Sequence, residues 1–371
     1  MLGANPLERR ELIGQVARGE ERVLGEARRH ARNGTRYPRR CPCRELGRGR
    51  YSHRHGPTNA HPGRSAHVHA SPGDTDHHLA LGATRATVSE YAASLRALTV
   101  DGIDLVQRPA GDGPPALYAS AVLVPWPNRV DGGRWSLHGV EQQLELTEPA
   151  AGNAVHGLLA ATRYSRTAGD EHAVTLGAPV TPQPGYPFHL DTSVAYVLEP
   201  DGVVVRHTIV NRGAHPAPVA IGTHPYLRVG TAPVAELTVT VPAARAIELD
   251  ERYMPTGTVD VAGTVHDLSD GVLVGPGGRH GCWTGLDVVD GRATSTLRAP
   301  DGTVVELWQE PDFGYVQLWV TDSFPGADGV TTAVAVEPMT APPNALRSGE
   351  ALRWLEPGET WTTAWGIRLR R

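Results

Sequence analysis

Beyond about residue 80 the chain keeps repeating one device: a short run of alternating apolar and polar residues, closed by a turn. The runs read "VVVRHTIV" (203–210), "ELTVTV" (236–241), "TVVELWQE" (303–310), "YVQLWVTD" (315–322) and "TTAVAVEP" (331–338). A period of two places alternate side chains on opposite faces of a strand, whereas a helix needs a period of 3.6. Asp-Gly pairs stand between such runs at Asp101-Gly102, Asp131-Gly132, Asp201-Gly202, Asp290-Gly291 and Asp301-Gly302. Asp-Gly favours the positive-φ turns that match the twist of paired strands, so each is a hairpin signal. Helical periodicity is nearly absent here and no tandem repeat is visible. The chain from 81 to 371 is therefore expected to be all-β, a sandwich or a barrel.

The chain has 371 residues and a net charge of −5, which suits one large β domain or two ordinary ones and is ample for a core. No apolar run is long enough to span a membrane. The first residues mix acids with arginines and lack the apolar stretch of a secretory signal. Three cysteines, Cys41, Cys43 and Cys282, cannot build a disulfide framework, and a cytoplasmic location is expected. The sequence contains no lysine, which excludes Schiff-base and P-loop chemistry. With every basic residue an arginine or histidine, arginine is discounted as a sign of nucleic acid. No nucleic-acid or membrane partner is expected.

Residues 1–80 differ from the rest. They are dense in Arg and His, poor in branched apolar residues and without either period. They are expected to form a disordered extension, with one possible charged helix over 6–30. A misassigned start codon is the competing explanation. The Cys41/Cys43 pair lies among scattered histidines, but C-x-C is not a zinc spacing.

Four later stretches carry polar groups that a sheet does not need. In "LVPWPNRVDGGRW" (123–135), Arg129 follows Pro-Asn. In "GNAVHGLL" (152–159), His156 precedes a glycine. In "IGTHPYLRVG" (221–230), Pro225 pushes His224 toward extended backbone and removes the next donor, fixing the imidazole at a strand end. In "VAVEPMTAPPNAL" (334–346), Glu337 interrupts an apolar strand, where a carboxylate is costly unless paired or functional. Taken singly, each is more simply a loop or turn residue. Together, one glutamate, two histidines and an arginine at strand ends form an inventory for acid–base work. Trp126, Tyr226, Phe313 and Trp319 accompany them, and aromatic faces suit the C–H face of a sugar ring.

These four stretches, in this order and spacing, resemble the successive signatures of the aldose 1-epimerase (galactose mutarotase) family, short actinobacterial-type members above all. The resemblance runs from about residue 84 to the C-terminus. It implies a large antiparallel β-sandwich acting on a hexopyranose without metal or organic cofactor. Glu337 then matches the general base at the anomeric hydroxyl and His224 the general acid at the ring oxygen. Arg129 and His156 match residues that hold the sugar, with Asn128, Tyr226 and Trp319 beside them as binding candidates. One departure is plain. Where the family carries a sugar-binding aspartate, "GGRHGCWTGLDVVD" (277–290) offers His280 in its place, with Asp287 the nearest carboxylate.

Two rivals on the same fold are a sugar-phosphate epimerase, needing an arginine cluster for which Arg134, Arg163 and Arg228 are candidates, and a silent sugar-binding module. A cupin-like metal enzyme would need H-x-H on a strand, and such pairs occur only at His53/His55 and His67/His69. A sugar is the expected partner, and the assembly a monomer or homodimer.

Overall fold

The computed structural model describes residues 75–275 and 279–370. The expected helix over 6–30, the Cys41/Cys43 pair and the two H-x-H pairs lie outside the described residues, as does most of the expected extension. Among the described residues the first strand is Asp76–Leu81, a few residues before the boundary expected at 81. That strand pairs with Thr84–Ser89 and buries Leu79 in the core.

The fold is all-β and antiparallel, built on two large sheets. The ten-stranded sheet runs, in spatial order, Ser165–Gly169, Ala173–Val180, Leu190–Glu199, Gly202–Asn211, Thr360–Arg370, Val304–Gln309, Arg292–Arg298, Thr238–Val241 and Leu268–Leu273, with Val288–Val289 attached to Arg292–Arg298. The eight-stranded sheet runs Pro255–Asp260, Ala243–Leu249, Gly281–Leu286, Tyr315–Gly326, Gly329–Met339, Gly222–Thr223 and Val122–Leu123, with Tyr226–Leu227 also on Gly329–Met339. Asp76–Leu81, Thr84–Ser89, Leu95–Val100 and Ile103–Asp104 make a four-stranded meander. Among the described residues the one α-helix is the four-residue Ala345–Ser348.

One apolar core joins the two large sheets into a sandwich. It takes Val194, Tyr196, Val205, Leu307 and Ile367 from one and Ala246, Trp283, Val316, Leu318, Val334 and Val336 from the other. Period two then fixes the opposite face. On Gly329–Met339, Val334 and Val336 enter the core, so Ala335, Glu337 and Met339 point away from it. On Tyr315–Gly326, Val316 and Leu318 point in while Tyr315, Gln317 and Trp319 point out. The register sets Cys282 opposite Gln317 and Gln317 opposite Glu337. A polar row thus crosses the outer face of a wall whose inner face is core.

Of the five Asp-Gly pairs named above, four turn hairpins, at 101, 201, 290 and 301. Asp131-Gly132 does not. The strand before it, Arg129–Asp131, pairs with Asn153–Val155, and the strand after it, Arg134–Leu137, pairs with Val140–Gln143. With Gly132 and Gly133 both at positive φ, the chain swings from one ribbon into another. In "ELTVTV", the strand covers Thr238–Val241, and Val234–Glu236 forms a 3-10 turn after Pro233.

Candidate active site

The centre of the site is an ion-pair-distance contact: His224 Nε2 lies 3.3 Å from Glu337 Oε1, with side chains 5% and 3% exposed. Glu337 comes from the long strand just described. His224 comes from the link between Gly222–Thr223 and Tyr226–Leu227, which pair with that same strand on either side of Pro225. Its backbone is tied at both ends, through His224 N–H to Ala121 O and His224 O to Ser120 N–H. Proline at 225 cannot donate, yet its carbonyl accepts from Val336 N–H, so the histidine is locked beside the glutamate.

Burial governs the charges. Desolvation raises the Glu337 carboxyl to about 8, with the positive charge of Arg129 acting in the opposite direction. Desolvation drives His224 down to about 3, and Arg129 also disfavours its cation. His156 is pushed well below the usual imidazole range by burial, then by His224 and Arg129. At neutral pH the pair therefore holds one proton, and burial favours a carboxylic acid beside a neutral imidazole. The outer atoms of the pair, His224 Nδ1 and Glu337 Oε2, have no hydrogen-bond partner in the protein, nor does Gln317 Oε1 next to them. Buried polar atoms without partners are costly, and three together are suited to a polar ligand.

The second half of the site is the ribbon of Arg129–Asp131 and Asn153–Val155, where Arg129 faces Val155 and His156 follows at once. Asn128 and His156 both have positive φ. Asn128 N–H donates to His156 Nδ1 at 3.2 Å, which leaves the imidazole proton on Nε2. His156 stands edge-on to His224, ring centres 5.5 Å apart, and to Tyr118 at 4.5 Å. Gly157 has φ +75, and a Cβ there would meet Val124 O at 2.3 Å, so the turn that presents His156 requires glycine. Arg129 is gripped by Glu148 through two 2.8 Å hydrogen bonds and covered by the Tyr253 ring at 4.5 Å.

The structure brings together Glu337, His224, Arg129, His156 and Asn128. Asn128 serves chiefly as a brace, because its Oδ1 accepts from Arg129 N–H at 2.9 Å. Tyr226 lies behind the pair rather than beside a ligand: it is fully buried and stacks on His224 at 5.0 Å. Trp319 stands edge-on to His224 at 6.0 Å and stays partly exposed. His280 neighbours it, accepting a long 3.4 Å hydrogen bond from Val320 N–H. Asp287 is not brought in. It is exposed beyond the far end of Gly281–Leu286. It lies five positions beyond Cys282, the member of that strand in the Glu337 row, and at ~3.3 Å per residue the carboxylate is carried out of reach. Trp126 and Phe313 belong to the core.

Sequence reasoning missed Glu148, Gln317, Tyr118, Tyr253 and Asn344. Asn344 lay inside a quoted stretch. Its N–H donates to Arg129 O at 2.7 Å and its Oδ1 accepts from Asp131 N–H at 3.0 Å, so the glutamate-bearing segment clamps the arginine-bearing strand. Among the described residues no group of three or more His, Cys, Asp or Glu is placed to hold a metal ion, and no helix is long and apolar enough to cross a membrane.

The aldose 1-epimerase family model matches residues 77–368. The chain is 33% identical over 292 residues to YihR of Escherichia coli K12, an uncharacterized protein, covering 76% of this chain and 89% of YihR. Three solved structures share the fold. The galactose mutarotase-like protein of Clostridium acetobutylicum is 17% identical with TM-score 0.68, covering 79% of this chain and 94% of that one. The GalM/aldose epimerase homologue of C. elegans is 15% identical with TM-score 0.69, covering 80% and 98%. The galactose 1-epimerase of Lactobacillus acidophilus is 16% identical with TM-score 0.68, covering 80% and 94%.

Proposed function

The chain belongs to the aldose 1-epimerase family, and on that premise we propose that it interconverts the α and β anomers of a hexopyranose of the glucose or galactose type. The observation that carries this reading is the buried His224–Glu337 contact at 3.3 Å, with its outer atoms unpartnered. A silent sugar-binding module has no use for an acid and a base held together at that cost.

The reaction uses the pair's single proton. A sugar hydroxyl bonded to Glu337 favours the carboxylate, and the proton passes to His224, giving a base and an acid side by side. Glu337 takes the proton from the anomeric O1–H while His224 protonates the ring oxygen. The C1–O5 bond breaks and C1=O1 forms. Rotation about C1–C2 turns the other face of the aldehyde to O5. Reclosure returns one proton to His224 from O5 and one from Glu337 to O1, so no proton is gained or lost. Each well-placed transfer contributes about 10²–10⁴-fold. Arg129 and His156 donate to the sugar from the ribbon side, and Trp319 offers a face to its C–H groups.

A sugar phosphate is less well served. Arg163 is bonded to Glu90, Arg134 to Gln143, and Arg228 to Gly230 O and Gln107, so the three arginines are held at separate places. Polarimetry tests the proposal: purified protein should speed the mutarotation of α-glucose or α-galactose over buffer. No acceleration of either would overturn it.

A further inference from the structure

Arg129 has a long side chain with several rotatable bonds, yet its guanidinium is fixed by a residue that does not itself join the acid–base pair. Nε donates to Glu148 Oε2 and Nη2 to Glu148 Oε1, each at 2.8 Å. This fork uses one edge of the planar group and leaves the Nη1 corner outside it. Glu148 is held in turn. Asn153 Nδ2 donates to Glu148 Oε2 at 3.1 Å, and the two main chains exchange hydrogen bonds in both directions. Asn153 is fully buried, and its Oδ1 accepts from Arg252 Nη2 at 3.1 Å. The chain of contacts therefore runs Arg252, Asn153, Glu148, Arg129, and ends at the site.

We propose that Glu148 is a positioning residue for the sugar reaction, aiming the free corner of Arg129 at the substrate and cancelling its charge. This rests on the mutarotase reading above. The charged and titratable groups around Glu337 are His224 from the strand link, Arg129 and His156 from the ribbon, and Cys282 from Gly281–Leu286, two strands away beyond Gln317. Those around Arg129 are Glu148, Tyr253, Tyr118 and Glu337. Loss of the Glu148 charge leaves the arginine cation uncompensated, which favours the Glu337 carboxylate.

The experiment compares the whole chain with Glu148→Gln, Glu148→Asp, Arg129→Ala and the Glu148→Gln/Arg129→Ala pair. Mutarotation of α-glucose and α-galactose is followed by polarimetry across pH, and the Arg129 Nε–H signal by NMR. Glu148→Gln should lose on the order of 10²-fold in kcat/KM, the scale of an ångström of misplacement. Its alkaline limb should move to lower pH, and the Nε–H signal should average as the group is freed. Glu148→Asp keeps the charge and should hold the limb in place with part of the rate restored. The double variant should be no worse than Arg129→Ala, since Glu148 acts through Arg129. A Glu148→Gln protein that melts earlier but keeps its limb, or whose loss multiplies with that of Arg129→Ala, makes Glu148 a scaffold residue and overturns the proposal. If the parent chain accelerates neither sugar, the mutarotase reading falls. The Nε–H signal then still decides: an ordered signal in Glu148→Gln rejects positioning, and an averaged one supports it.

Discussion

Replacing Glu337 with glutamine should abolish turnover and also make the protein more stable, by an amount that grows with pH. The folded state holds the Glu337 proton up to about pH 8, against an ordinary value of 4.5. Between those values the native chain binds more protons than the unfolded chain, so unfolding becomes easier as pH rises. The stability this group contributes is whole below its unfolded value and is lost as pH climbs through the folded one. At about 1.4 kcal/mol per pH unit, the loss is on the order of 3 kcal/mol by neutral pH. Glutamine keeps the shape, stays neutral throughout and escapes the penalty. Urea denaturation of parent and variant from about pH 5 to about pH 8 should show a stability difference that widens with pH, while titrating groups remote from the pair cancel in the comparison. A constant difference over that range would refute the buried-acid argument, whatever happens to activity. Turnover should fall in kcat more than in KM, because the amide can still bond a hydroxyl but cannot take its proton.

His224→Asn should cost on the order of 10²–10⁴ in kcat and change the shape of the pH–rate profile. The parent should fall on the alkaline side as the shared proton is lost near pH 8, whereas the variant, left with Glu337 alone as base, should rise there; a variant that keeps the parent profile would move the acid to His156. Gly157→Ala should destabilise the fold by more than about 2 kcal/mol, since both φ and the Val124 carbonyl forbid the methyl group, and an unchanged thermal midpoint would show that the turn can yield. A chain starting at Thr75 should keep full activity. One starting at Thr84 should melt earlier, because it lacks a paired strand and the Asp76 carboxylate that lies 3.4 Å from Arg96; equal midpoints would show that strand to be dispensable.

The strands, and the strand-end positions of His224 and Glu337, were legible in the sequence because both depend on local signals. "TTAVAVEP" shows the period, the interruption and the proline within a few residues, and "THPY" shows why a histidine would be held extended. Glu148 gave no such signal. In "LTEPAAGN" it reads as a loop carboxylate, and its meaning comes only from the ribbon that returns Asn153 and Arg129 to it. Gln317, between Val316 and Leu318, reads as the solvent side of a strand, and only the register beside Glu337 makes that side the floor of a site. Tyr226 was legible as an aromatic near the histidine, but not as its backing. Asp287 was proposed by proximity along the chain, the measure a strand makes misleading, since each step moves a side chain about 3.3 Å further off. The strand order of the large sheets rests on pairings between distant segments, which no local pattern encodes.

In the strand that carries Glu337, Val334 and Val336 face the core, while Glu337 points to the other side and meets His224. A slip of one position would send Val336 to the outer face and the carboxylate into the apolar interior. On the mutarotase reading, catalytic competence and correct strand pairing are thus one condition. In a refolding experiment, recovered activity should count the molecules whose central strand has found its proper neighbours, and a misregistered population should be silent rather than sluggish.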